Sequence, residues 1–510
     1  MEQSRTKKAT RNIFFAFVGQ FSTQILNFVV RTVFIRMLAV EYLGINGLFA
    51  NVLSVLSLAE LGFGASVIYS MYAPMAQGDI PLVQAYMSFY QKVYRIIGIG
   101  IIAVGVVLTP FLDIFVSERP SIEYSLELIF LLYIIKTAGS YFFAYKTCIL
   151  TVDQKSYVLE TFSILCTVIK SIFLIIVLVL TRNFLLYTVI EVIFVFVQNL
   201  AITLWCEKKY KFLKQKAPHQ LSKESKKTLI SNVKAMFLHK VASVVLNSSD
   251  NIIISKLIGV VAVGFYSNYS AVIVIIRNVI YTIFNALIPS IGNLCASSSK
   301  KQVKETFYQV YFIVMWMTGF CTTGIILLMN DFVRLWAGEK YVMHYSMVIV
   351  LAISFYIQVS MRAVEMFRTA TGLFYNDRYV AVAQCLVNVV ISILMVKYYG
   401  IQGVFVGTSL AMLTTLFWVQ PVIFYKKVLE ENVKIYFLKY IFYTLEWGVI
   451  LFVDKWILEQ ISLPGWGGFI VSFICVVIFS NLLMICFSFK SPEFQCVLNR
   501  IVKGKIGGKK

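Results

Sequence analysis

The sequence predicts an all-α polytopic membrane protein of about 14 transmembrane helices, where each crossing of the hydrocarbon takes about 20 residues. Three observations carry this. Hydrophobic residues fill 59% of the 510 positions and the mean hydropathy is +0.79, too apolar for a chain of this length folding in water. Apolar stretches recur from Arg11 to Phe489, each longer than a barrel strand and without its alternation, so helices must satisfy the backbone in lipid. Lysine and arginine crowd into every second gap between the stretches.

The charge pattern sets the topology. Lys+Arg is 46 against Asp+Glu 25, a formal charge of +21, which in a soluble chain would point to nucleic acid. Here it sorts by side. Basic clusters stand at Arg5/Lys7/Lys8/Arg11, Lys92/Arg95, Lys146/Lys155, the Lys208–Lys227 loop, Lys300/Lys301/Lys304, Arg368/Arg378, Lys426/Lys427/Lys434 and after Lys490. The intervening gaps, such as Glu41–Gly47, Asp113–Glu123 and Gly259–Gly264, are nearly free of them. About 31 basic residues fall on one side and about 7 on the other, which the positive-inside rule reads as cytoplasmic termini and an even helix number. The expected location is a membrane crossed many times, with both termini on the cytoplasmic side.

In order, the expected spans are 11–39, 42–72, 84–112, 122–150, 156–181 and 183–206, then 228–258, 261–296, 303–331, 342–371, 375–398, 401–427, 433–458 and 465–489. The first runs unbroken past Arg31 to Ala39, longer than a signal h-region, and no A-x-A-type site follows it. The longest polar gap, 207–227, is a lysine-rich linker containing Pro218 and Ser222. The parts expected are a six-helix lobe (1–206), the basic linker (207–227), a second six-helix lobe (228–427), two added helices (428–489) and a basic cytoplasmic tail (490–510). The nine cysteines form no C-x-x-C pair, so neither a metal site nor a disulfide frame is indicated.

The halves look related. NFVVRTVFIRMLAVEYLGINGLF (Asn27–Phe49) lies on NSSDNIIISKLIGVVAVGFYSNY (Asn247–Tyr269) without a gap, pairing Arg36 with Lys256, Leu38 with Ile258 and Gly44 with Gly264. Phe89-Tyr90 and Phe307-Tyr308 echo each other at the start of the third helix of each half. Internal repeats are common in transporters, with binding sites near mid-membrane between the halves.

RTVFIRMLAVEYLGINGLF (Arg31–Phe49), followed by SLAELGFGASVIYSMYAPMA (Ser57–Ala76), resembles the polysaccharide-export flippases of the Wzx type. These belong to the MOP superfamily, with the MATE drug exporters and the lipid II flippases. The resemblance spans essentially the whole chain and is sharpest over the first two helices. It implies a V-shaped core of two six-helix lobes, often with two added C-terminal helices. It also implies movement of undecaprenyl-diphosphate-linked oligosaccharide, the unit of capsule, O-antigen or another surface polysaccharide, from the inner to the outer leaflet. Membrane lipids and polysaccharide polymerase machinery are the implied partners; no docking motif supports the latter.

Ionisable groups deep in spans are the internal evidence for transport, since each costs about 2.5–3.5 kcal/mol at mid-membrane. The bases are Arg31, Lys136, Lys170, Arg277 and Arg362; the acids are Glu60, Glu191, Asp250, Glu365 and Glu446. A headgroup diphosphate suits a cationic chamber, and guanidinium suits its forked geometry. Arg31, Lys136, Lys170 and Arg277 are therefore the expected substrate-binding bases, against the competing reading of structural ion pairs. Arg31 is the strongest: related lipid flippases carry a cavity arginine on this helix, followed about thirteen residues later by a glycine, here Gly44. Asp250 falls beside Arg31 in the repeat overlay, as its partner or a coupling-cation site, and Glu60 is another potential partner. Arg362, Glu365 and Arg368 stand at i, i+3 and i+6, a self-paired cluster or a gate. A chamber whose bases were each locked to a carboxylate would exclude a phosphorylated cargo.

Rival functions are weighed on the same residues. The chain has no G-x-x-x-x-G-K-[ST] motif, nucleophile elbow or metal cluster, so neither nucleotide hydrolysis nor another enzyme activity is expected, and no cofactor is called for. A membrane glycosyltransferase or polymerase would need a large catalytic loop, where the external loops here are about ten residues. A MATE-type exporter of cationic drugs would want an acidic chamber. Lipid II flipping is not separated by charge alone.

Overall fold

The computed structural model describes residues 2–57, 63–215, 219–373, 378–461 and 463–506. They are helical nearly throughout, with no strand among the described residues. Eleven helical segments are long and apolar enough to cross a membrane. The rest of the expected spans correspond to α1, to the α2–α3 pair, and to α8, which carries Ser248, Ser249, Asp250 and Asn251 in about one turn.

The chain divides into two compact units, Met1–Gly264 and Phe265–Lys510. The first holds α1 (Glu2–Met37), α2 (Val40–Leu56), α3 (Phe63–Gln77), α4 (Ile80–Leu108), α5 (Leu126–Val152), α6 (Ser156–Thr181), α7 (Phe184–Lys209) and α8 (Lys223–Leu257), and α9 (Val260–Asn285) begins in it. Polar caps open the helices where the sequence changes from loop to apolar run. Asp79 accepts from Leu82 N at 3.0 Å, Asn183 from Leu186 N at 2.9 Å and Ser222 from Ser225 N at 3.0 Å. Helix α1 packs on α6, α5 on α4 and α7, and α8 on α2 and α3.

The α8–α9 corner is fastened to the first half on the side where basic residues are scarce. Lys256 Nζ donates to Asp113 O at 2.8 Å and Val116 O at 3.2 Å, and Ser117 N donates to Ser255 O at 3.2 Å. Gly44 on α2 and Gly264 on α9, equivalent in the repeat overlay, make reciprocal close approaches. A Cβ on Gly44 would lie 2.0 Å from Val260 O, and one on Gly264 would lie 2.6 Å from Val40 O. The turn between α8 and α9 needs Gly259 at φ +135°, where a side chain is strained.

The second unit comprises the rest of α9, α10 (Ile288–Ser297), α11 (Lys300–Trp336), α12 (Tyr345–Ser360), α13 (Arg362–Ala370), α14 (Arg378–Tyr399), α15 (Ile401–Thr414), α16 (Leu416–Phe424), α17 (Lys434–Leu458), α18 (Gly465–Ser488) and α19 (Pro492–Ile506). Three spans expected to be single helices are interrupted in this unit. One breaks between Asn285 and Ile288, just before Pro289; another at Met361; the third at Thr415, whose φ −123°, ψ −96° is non-helical. The apolar run that flags a span does not register a local break of this kind.

Outward faces are apolar, as lipid requires. Helix α17 exposes Leu438, Phe442, Leu445 and Phe452 while turning Glu446, Trp447 and Asp454 inward. The tail predicted to be a basic surface segment forms α19. Its Phe494 is buried against Phe312 and Trp316 of α11, and Glu493 is ion-paired with Lys439.

Candidate functional site: two clusters of intramembrane charge

In the first unit, Arg31 sits on α1 one turn before Phe34, which packs edge-on against Phe184 and Tyr187 of α7. Arg31 and Glu191 both lie within electrostatic reach of Tyr187, and Glu191 also of Tyr133. Glu191 follows Tyr187 by four residues, so both face one side of α7. From α5, Lys136 Nζ meets Glu191 Oε2 at 2.6 Å and rests 5.2 Å from the centre of the Tyr133 ring. Tyr133 in turn donates to Asn46 Oδ1 of α2 at 2.8 Å. Helices α1, α2, α5 and α7 thus contribute to one polar band.

The other expected residues of this unit fall around it. Asp250 is half-buried on α8, next to Asn251, whose Nδ2 is 3.8 Å from where a Gly47 Cβ would sit. Lys170, half-buried on α6, makes no hydrogen bond or ion pair among the described residues, so nothing joins it to the Arg31–Lys136 band. Glu60 lies outside the described residues.

The second unit carries its own cluster. Arg277, Tyr281 and Asn285 repeat every four residues down α9. Arg277 Nη1 donates to Gln358 Oε1 of α12 at 2.8 Å. Arg362, at the start of α13 and only 9% exposed, lies over the Tyr281 ring at 4.4 Å. Its Nη1 pairs with Glu365 Oε2 at 2.9 Å, and its Nη2 donates to Asn285 Oδ1. The i, i+3 pairing of Arg362 with Glu365 is therefore present. Arg368 is half-buried one turn further on.

Lys136 and Arg362 are held by carboxylates; Arg277 is held by an amide. Each cluster couples its charges to neutral groups: Asn46, Tyr133 and Tyr187 in one, Tyr281, Asn285 and Gln358 in the other. Sequence reasoning fixed on charge and passed over these. Spacing was the available signal, since Tyr133/Lys136, Tyr187/Glu191 and Arg277/Tyr281/Asn285 all stand at helical intervals. Asp454 was also passed over: it is 2% exposed on α17 and accepts from Ser480 of α18.

The fold defines a multi-pass helical membrane protein with charged groups set inside its helical segments. Solved structures share the fold. The lipid II flippase MurJ in an inward closed conformation matches with TM-score 0.68 at 14% identity, over 93% of this chain and 99% of that one. An inward-facing multidrug resistance MATE family transporter of the MOP superfamily matches with TM-score 0.61 at 14% identity, over 78% and 94%. The Vibrio cholerae MATE transporter VcmN in its bent form gives 0.54 at 15%, over 84% and 98%. The chain belongs to the polysaccharide biosynthesis protein family, whose model matches residues 9–295. No curated protein matches the sequence.

Proposed function

We propose that this protein is a flippase that moves undecaprenyl-diphosphate-linked oligosaccharide across the bacterial cytoplasmic membrane by alternating access. The observation that carries the reading is the presence of bases at lipid depth in both polar clusters. Arg31 and Lys136 stand against Glu191, and Arg277 and Arg362 against Glu365, with neutral donors beside them. Guanidinium and ammonium groups at lipid depth suit a diphosphate whose prenyl tail stays in hydrocarbon. The family favours a polysaccharide precursor, and the likeness to a lipid II flippase favours a lipid-anchored one.

In this reading Arg31, Lys136 and Arg277 bind the headgroup, and Lys170 adds positive charge to the wall of its path. Asp250, Glu60, Arg362, Glu365 and Arg368 serve as ion pairs that exchange partners between states. The moving bodies are the six-helix lobes 1–206 and 228–427, tethered by the linker 207–227, with both termini cytoplasmic. No catalytic step is assigned to the chain.

The test is translocation of a lipid-linked oligosaccharide in proteoliposomes by wild type, Arg31→Ala and Lys136→Ala. Loss in both variants is expected. Wild-type rates in both would remove the assignment, and efflux of cationic dyes without glycolipid movement would favour a drug exporter.

A further inference from the structure

On the lysine-rich side of the first unit, the linker closes a cavity of about 660 Å³ that the transport reading does not use. Its walls are the first turns of α4, the last turns of α5 and α7, and the segment leading into α8. The linker is tied down at two points. Gln84 Nε2 of α4 donates to Phe212 O at 2.8 Å, and the Tyr210 hydroxyl donates to Asp153 Oδ2 at 2.6 Å. Burial and then this bond to Asp153 push the Tyr210 hydroxyl well above its ordinary range, so it stays protonated and keeps donating. Part of the basic linker is thus one wall of a formed pocket.

The lining is strongly cationic. Lys92, Lys146, Lys214 and Lys226 face it against a single acid, Glu207. Glu207 is committed to Lys146 by an ion pair. Lys92 and Lys214 have no hydrogen-bond or ion-pair partner among the described residues, and Lys226 has only the face of Phe89, 5.9 Å away. Gln91 gives one amide hydrogen to the Tyr145 hydroxyl at 2.7 Å and keeps a second for a ligand. The floor, with Ala85, Met87 and Leu221, is apolar.

We propose that this cavity is a binding site for a phosphate-bearing headgroup. Three uncommitted ammonium groups around a concave wall match several phosphate oxygens, for which lysine acts as a point charge. The volume lies within the range of small-ligand sites, roughly 300–1,000 Å³, and is too small for a folded partner. Ala85, Met87 and Leu221 offer apolar surface beside the charges, suited to a carbon backbone carried by the phosphate. The same chemistry could come from an anionic phospholipid of the facing leaflet or from a water-soluble diphosphate. This site stands independently of the Arg31–Lys136 cluster.

The experiment uses the full chain in nanodiscs of phosphatidylcholine, titrated separately with short-chain phosphatidylglycerol and inorganic pyrophosphate and read by microscale thermophoresis. Saturable binding of at least one probe is expected; phosphatidylglycerol alone identifies a lipid source, and pyrophosphate alone a soluble one. The variant Lys92→Gln/Lys214→Gln/Lys226→Gln is expected to weaken binding at least tenfold. Ser88→Trp, which fills the cavity without changing charge, should do the same. The control Lys301→Gln/Lys426→Gln/Lys427→Gln removes equal charge from exposed positions elsewhere and should leave the affinity within twofold. The proposal is overturned if neither probe saturates, if the control weakens binding as much as the pocket triple, or if Ser88→Trp binds like wild type.

Discussion

Replacing Gly44 by alanine should pry the start of α9 from the start of α2. The added Cβ would sit 2.0 Å from Val260 O, whereas ordinary contact begins near 3.4 Å, so the helices must part by about 1.4 Å there. The nearest obstruction is backbone, which cannot rotate out of the way as a side-chain tip can. Gly264→Ala meets Val40 O at 2.6 Å, a deficit of about 0.8 Å, and Gly47→Ala meets nothing tighter than a Val263 methyl at 3.3 Å. Overpacking typically costs about 1–3 kcal/mol, which shifts a two-state equilibrium by roughly 5- to 150-fold. The shift should rank Gly44→Ala above Gly264→Ala above Gly47→Ala. Spin labels at Ala39→Cys and Ile258→Cys, with the nine native cysteines replaced, would report it as a longer component in the pulsed-dipolar distance distribution. A wild-type distribution for Gly44→Ala, or a Gly47→Ala shift as large as that of Gly44→Ala, would refute the reasoning.

Other outcomes follow from the clusters and the tail. Glu191→Gln leaves the Lys136 ammonium without its carboxylate, so thermal stability in detergent should fall and partly recover in Lys136→Gln/Glu191→Gln, with a coupling of about 0.5–3 kcal/mol; additive midpoints would deny the pair any energetic weight. Glu365→Gln strands a guanidinium that is nearly buried, an expected loss of about 3–5 kcal/mol. Most of that should return in Arg362→Gln/Glu365→Gln, and equal loss in single and double variants would mean that the ion pair is not the cause. Phe494→Ala removes the ring that seats α19 on α11, so limited proteolysis should cut the tail faster while the rest of the chain resists; an unchanged cleavage rate would place the anchoring elsewhere.

The architecture was readable because lipid imposes a coarse rule: a long apolar run must be a helix, and the apolar runs could be counted. The same rule hid the breaks at Met361 and Thr415, since hydropathy averages over a window longer than the one or two residues that interrupt a helix. The charged members of both clusters were readable for a related reason, because Arg31, Lys136, Arg277 and Arg362 are costly where they stand. Their neutral partners were not. Asn46, Gln358 and Asn285 carry no formal charge, and only the tertiary arrangement shows which charge each one serves. The linker misled in the other direction. It read as a basic cytoplasmic linker over 207–227, and only the tertiary contacts show Tyr210 bonding Asp153 and Gln84 holding Phe212 O, which turn part of it into a wall.

The pairing of Lys136 with Glu191 bears on how a phosphorylated cargo would be held. An ammonium fixed to a carboxylate is partly neutralised, and binding a diphosphate there requires the acid to be displaced or shared. Glu191 contacts Lys136 at 2.6 Å and follows Tyr187 by four residues on the same side of α7. If Lys136 binds the headgroup as proposed, a built-in counter-ion would spare the empty site the cost of a bare charge at lipid depth, and loading would substitute the cargo's phosphate for it. Arg277 is held differently: its amide partner carries no formal charge, so in the proposed role its guanidinium would keep its attraction for an anion. In the proposed transport reading, the first cluster would exchange counter-ions and the second would present a fixed cation.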